Sequence, residues 1–365
     1  MTISRLSGLA LATLRGHSGS VNDLDFDSSG DTILSAGNDG TLRTWAVQTD
    51  AHLRSPVTDA TFDRDGKMIV SGGSDGRLRT WRSSDLTSVL DIPDHPGISE
   101  AVFSANGSQI ISYAGDGIIN IRNATTGLLL AGFDAGVGAV RAAESDPSGR
   151  RLVVGGNSGG LRIVDESGAV LETLTQTGSP VGTVEFSPDG RSLLAGRDDG
   201  SLTLWQADRS SVPIKPSDYR AVYDATFSAD GTRIASADAS GGITVWDLHG
   251  GRIAVLPGHD GPATAVRFRD GDTQLISGGF DGTVRVSDVS SASLLMTFDE
   301  GDGPISHVDV NPTTETILAS APEPGALRLL SCAVCGSLDS VIGLAQSHDF
   351  RQLSSDEERR FSGSG

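Results

Sequence analysis

The chain has 365 residues, with 47 acidic against 28 basic side chains and a formal net charge of −19. Such a surface repels phosphate backbones and acidic lipid headgroups, which argues against nucleic acid or a membrane as a direct partner. No apolar run approaches the ~18 residues of a membrane-spanning helix. Two cysteines are too few for a disulfide scaffold, which fits a reducing cytoplasm.

The first segment, Leu6 to Leu14 after Arg5, superficially resembles a secretion signal. It is short, carries one basic residue and runs straight into Gly16-His17, so it reads as a strand. Val21, Leu24 and Phe26 make an apolar-rich strand, closed by the turn Asp27-Ser28-Ser29-Gly30. Thr32 to Ala36 is the next strand. Asn38-Asp39-Gly40 is a hairpin signal, because Asp-Gly supplies the positive φ that tight hairpin turns need. Thr41 to Trp45 is the third strand, and a loosely matching fourth follows.

This grammar recurs. Five residues on from each second-turn glycine stand Trp45, Trp81, Arg122, Val164, Trp205, Trp246, Ser287 and Leu330, with gaps of 36, 41, 42, 41, 41, 41 and 43 residues. A fixed period near 40 with four short strands marks a propeller blade. Phe26, Phe62, Phe103, Phe186, Phe227 and Phe268 repeat one position, which reads as packing between neighbouring blades. Eight signals predict an all-β propeller of eight blades. Seven is the alternative, because Asn311-Pro312 and Pro322-Glu323-Pro324-Gly325 replace the usual turns in the eighth repeat, and the fourth is also degenerate.

Gly16-His17 and Gly258-His259 open two repeats and Trp246-Asp247 closes one, and on these residues the chain resembles the WD40 repeat family over about residues 6–335. The resemblance implies a buried hydrogen-bonded tetrad of His, Ser or Thr, Asp and Trp in a blade. The first repeat carries all four as His17, Ser35, Asp39 and Trp45. The second keeps Ser71, Asp75 and Trp81, and the seventh keeps His259, Ser277 and Asp281, with Ser287 at the tryptophan position. Trp205, Trp246 and Asp247 are read as further structural positions. The resemblance also implies that a strand from the opposite terminus completes the last blade, here residues 6–15. It implies that the turn edge meets protein partners, and Phe280, Tyr113 and Arg197 are the candidate anchors there.

Other motifs point away from catalysis. Gly72 to Gly76 and Gly156 to Gly160 match Gly-x-Ser-x-Gly but sit in hairpin turns, where no hydrolase elbow forms. No phosphate-binding Gly-x-x-x-x-Gly-Lys-Ser/Thr loop is present. Asp23, Asp25 and Asp27 share one strand face, as a solvated surface, a channel lining or a cation-attracting cluster. Cys332 and Cys335 form half a zinc site, for which His348 and Asp349 are the nearest further ligands; two packed thiols are the simpler reading.

Beyond residue 335 the pattern turns helical. Leu338, Val341, Ile342 and Ala345 follow helical spacing after Ser337, and Ser355 with Glu358 is spaced as a capping box. The tail from Cys332 through Glu357-Glu358-Arg359 resembles the end of actinobacterial regulators in which a STAND-type ATPase precedes WD40 repeats. The expectation is thus a propeller over 1–335 with a short helical tail over 336–365. It is read as a monomeric, cofactor-free interaction scaffold or sensor module in bacterial signalling, with a STAND-type ATPase domain among its candidate partners. The alternative is a metal-assisted enzyme or small-ligand binder using channel carboxylates.

Overall fold

The computed structural model describes most of residues 57–330, together with strands at 2–4, 10–13, 21–26, 32–37 and 42–46. Two compact units are present, one of residues 51–295 with 300–329, the other of 1–50 with 296–299 and 330–365. Every described element is a strand. Repeats two to seven each fold into a four-stranded antiparallel sheet in sequence order, and repeat eight into a three-stranded one. The inner strands are Val57–Phe62, Ile98–Phe103, Val140–Ser145, Val181–Phe186, Val222–Phe227, Ala263–Arg269 and His307–Val310.

The repeat period has a steric cause at the second hairpin. Gly76 and Gly241 hold φ of 75° and 87°, a region that side chains strain to enter. A Cβ there would also stand 2.3 Å from the His95 carbonyl oxygen and 2.2 Å from that of His259. Glycine is therefore demanded by both the turn and the loop packed on it.

The count of eight blades is corrected to seven. The inner strand of repeat eight packs directly on that of repeat two and closes the ring. The Phe62 amide donates to Asp309 Oδ2 at 2.8 Å, and Asn311 Nδ2 donates to the Gly66 carbonyl at 2.6 Å. Leu318 and Leu327 share one apolar cluster with Val57, Ala60, Phe62 and Trp81. This joint repeats those inside the ring, where the Phe186 amide donates to Glu144 at 2.8 Å and the Phe227 amide to Glu185 at 3.3 Å. The first repeat forms its own three-stranded sheet, Val21–Phe26, Thr32–Gly37 and Leu42–Ala46, in the smaller unit. Its register shift between Val21 and Asp23 matches the shift between Val57 and Asp59. The repeat grammar thus encodes a sheet; membership of the ring depends on which inner strands meet.

Ala10–Thr13, within the segment expected to complete the last blade, is paired with Thr2–Ser4. The helical tail is also withdrawn from the fold: no helix occurs among the described residues, and 336–365 lie outside them. Because the ring joins repeat eight to repeat two, a chain lacking residues 1–50 is expected to keep cooperative thermal unfolding and its far-ultraviolet dichroism per residue. Loss of the cooperative transition on that truncation contradicts a self-closed seven-bladed ring.

Candidate functional site

Hydrogen bonds join several of the positions expected to be structural, where the described residues reach them. His259 Nε2 lies 2.9 Å from Ser277 Oγ and Nδ1 lies 2.9 Å from Asp281 Oδ1. Burial lowers the His259 pKa against the pull of Asp281. Asp281, although burial opposes it, is held down at about 2 by its hydrogen bonds from His259, the Asp260 amide and Thr283. Trp81 Nε1 donates to Ser71 Oγ and Trp246 Nε1 to Ser236 Oγ, each at 2.9 Å. Trp205 is buried, with Ala195 where its serine partner would stand. Asp247 caps its own turn through the His249 and Gly251 amides. In repeat two, with no histidine, Asp75 pairs with Arg79 at 2.6 Å.

One member of this set was not recognised in the sequence. His95 Nδ1 lies 3.2 Å from Asp116 Oδ2, in an Asp-His rather than a Gly-His opening. Its spacing of 21 residues from the turn aspartate, against 22 for His259 and Asp281, was the available signal. Of the first-repeat tetrad, Ser35 and Trp45 stand in the strands Thr32–Gly37 and Leu42–Ala46, while His17 and Asp39 lie outside the described residues. Cys332, Cys335 and His348 also lie outside them.

The inner strands surround a cavity of about 440 Å³. Because side chains alternate along a strand, residues two apart face inward in two layers, the third and fifth of the longer inner strands and the first and third of His307–Val310. The upper layer includes Asp59, Glu100, Asp224 and His307, and the lower includes Glu144, Glu185, Arg267 and Asp309. Most of these carboxylates hold neighbouring blades together. Asp224 Oδ2 accepts the Val266 amide at 2.9 Å and an Arg267 N–H at 2.5 Å, while Tyr113 Oη donates to Glu100. Six carboxylates face one arginine, so their charge is poorly compensated. Burial pushes Glu100 and Glu185 up to about 7. Burial, then Glu185, raises Glu144, and burial raises Asp309. Asp59 is raised by burial and then by Glu100. Burial and Arg267 drive His307 down to about 3. Arg267 stays charged: burial is outweighed by Asp224, Asp309 and Glu185.

Of the three partner-binding candidates, the structure leaves Phe280 at the surface, 56% exposed. The equivalent turn position in the other blades is Ser74, Gly115, Asn157, Asp198 or Ala239, so Phe280 is the one large apolar side chain in this set. Tyr113 and Arg197 are corrected to buried positions, because they lie inside the strand rather than at the turn tip. Tyr113 takes a place that is Gly72, Gly155, Gly196 or Gly278 in other repeats, where a Cβ would strike the next blade's Ile98, Val181, Val222 or Ile305. Its ring is accommodated because the inner strands of repeats three and four pack less closely than the other neighbours. Arg197 donates to the Gly159 and Ser179 carbonyls at 3.2 and 2.7 Å and to Thr175 Oγ1 at 3.0 Å. Tyr223 was not singled out in the sequence. It is 37% exposed and lines the cavity at the end of the blade that carries the second-hairpin turns.

The acidic pairs available do not make a metal centre: no group of three or more His, Cys, Asp or Glu suited to a metal ion occurs among the described residues. No described helix is long and apolar enough to cross a membrane.

Replacing His259 by alanine strips Ser277 and Asp281 of a buried partner and is expected to cost about 1–3 kcal/mol in unfolding free energy, read by denaturant titration. An unchanged midpoint contradicts the structural assignment. The channel acids set a pH dependence of opposite sign to the usual one. Folded Glu100 and Glu185 keep their protons to about pH 7, whereas the unfolded chain loses them near 4.5. The folded state therefore binds more protons in that window, and stability falls as pH rises through it. His307, depressed from 6.5 to about 3, acts the other way between those values, but it is one group against several raised carboxyls. Glu185→Gln keeps an acceptor oxygen and removes the charge, so its melting temperature should exceed the parent's at pH 8 by about 2–4 °C for each ~1 kcal/mol and match it at pH 4.5. An equal shift at both pH values contradicts this.

A comparison with curated proteins finds no match. The family model described as WD domain, G-beta repeat matches residues 8–46, 47–82, 168–206, 215–247 and 250–288, about half of the chain.

Proposed function

This chain belongs to the WD40 repeat family, and from that premise we propose that it is a non-catalytic scaffold whose hairpin-turn face holds a protein partner. Propellers of this family are generally non-catalytic and commonly bind proteins. The observation that carries the proposal is Phe280, an exposed aromatic at a turn position that is small or polar in the neighbouring blades. Tyr223, in the adjacent repeat, stands at the same end of its inner strand as Ala263, the residue opposite Gly279 next to Phe280. Two exposed aromatics on one edge fit the residue types that dominate binding energy at interfaces.

The finer reading places the ring in the cytoplasm as a sensor module in bacterial signalling, acting with a STAND-type ATPase. What supports it is the resemblance of the tail, Cys332-x-x-Cys335-Gly336 through Glu357-Glu358-Arg359. An immunoblot of the native organism tests it: a band far above 37.7 kDa fits a module of a larger regulator. A band at that mass fits a stand-alone scaffold.

The interaction itself is tested by placing a photo-crosslinking side chain at position 280 and irradiating native extract. A discrete adduct is expected there, and none from the opposite face. With the captured partner in hand, Phe280→Ala should cost about 2 kcal/mol, a ~30-fold rise in Kd. Adducts only from the opposite face, or an unchanged Kd, contradict the proposal.

A further inference from the structure

One wall of the central cavity is chemically unfinished. Asp59 is 4% exposed and lines the cavity, and neither of its carboxyl oxygens accepts a well-aligned hydrogen bond. His307 Nδ1 stands 3.0 Å from Oδ1 across the joint between repeats eight and two, an imidazole that burial and Arg267 keep neutral. Two residues along the same strand face, Thr61 Oγ1 also lines the cavity without a partner. The other channel carboxylates are engaged: Glu144, Glu185, Asp224 and Asp309 accept backbone amides, and Glu100 accepts from Tyr113. Buried polar atoms in native folds are almost always satisfied, so three orphans on one cavity wall point to a missing donor.

The charge around the orphans says what kind of donor. Glu100 and Asp309, on the blades either side of Asp59, are the acids whose charge acts on it. Arg267, the arginine among the lining residues, pulls the other way on Asp59 but is engaged by Asp224. A donor that brings positive charge answers this surplus of acid best. The acids do not converge as a metal cluster does, which favours a ligand that brings its own N–H groups. The two layers lie two residues apart along the inner strands, ~6.6 Å at the rise of a strand. That is close to the separation of the two nitrogens in an extended four-carbon diamine. A cavity of about 440 Å³ is of the size that holds small molecules.

We propose that the central cavity binds a small aliphatic diamine or longer polyamine, with one ammonium at Asp59 and Glu100 and the other at the level of Glu144, Glu185 and Asp309. Phe280 does not line the cavity, so diamine binding and partner capture at position 280 are read separately.

The test uses the full chain and 1,4-diaminobutane, followed by isothermal titration calorimetry in buffered saline at pH 8. Saturable binding of one diamine per chain is expected, with butylamine and Mg²⁺ at least tenfold weaker. Near pH 7 the titration should release protons, because an incoming ammonium ionises Glu100 and Glu185. Asp59→Asn should weaken binding at least tenfold while the melting temperature is held or raised. Where Asp59→Asn fails to fold, Glu185→Gln supplies the same comparison. Absence of saturable binding overturns the proposal. So does equal binding of butylamine or Mg²⁺, which would mark a general attraction to an acidic surface, or an affinity unchanged in the folded variants.

Discussion

Four of the ring's seven joints are stitched by one recurrent interaction, a buried carboxylate on one inner strand that accepts a backbone amide of the next. An inner strand has no neighbouring strand on its channel side, so some of its amides would otherwise face the cavity unpaired. Asp309 takes the Phe62 amide, Glu144 that of Phe186, Glu185 that of Phe227, and Asp224 that of Val266. A lower-layer acid reaches the sixth residue of the following strand, and an upper-layer acid the fourth. The joint between repeats eight and two is made in the same way as those between repeats four and five and between five and six, which is why the seven sheets close.

The same interaction creates the tension that gives the channel its chemistry. Acids satisfy the amides, but they bring more negative charge into the interior than Arg267 neutralises. The fold answers by keeping part of the carboxyls protonated at neutral pH, with Glu100 and Glu185 near 7. Asp59 stands apart because its carboxyl oxygens accept no well-aligned hydrogen bond. A buried group that lacks such a bond is where a ligand has the most to gain.

Much of this was legible in the sequence. The second-hairpin glycines carry the period because backbone geometry and the packed loop both exclude a Cβ. Ser71, Trp81, His259, Ser277 and Asp281 were recognisable because a satisfied buried network tolerates few residue types. Asp23 and Asp25 of the first repeat hold the strand positions of Asp59 and Thr61, but the acids that line the cavity come from the later repeats. What was hidden depends on long-range geometry. Ring membership is decided by inner strands far apart in the chain, as with Phe62 and Asp309. Tyr113 and Arg197 read as surface anchors because a shift of one or two residues separates a turn tip from a strand interior. His95 escaped because its opening departs from the Gly-His pattern and its spacing to Asp116 is one residue short of that between His259 and Asp281.

Hydrogen exchange at the Phe62 amide tests this account most directly. If Asp309 closes the ring as Glu144 and Glu185 join the other blades, the amides of Phe62, Phe186 and Phe227 exchange at comparably slow rates, set by global unfolding. A Phe62 amide that exchanges as fast as an open strand edge, while Phe186 and Phe227 stay protected, would contradict closure between repeats eight and two.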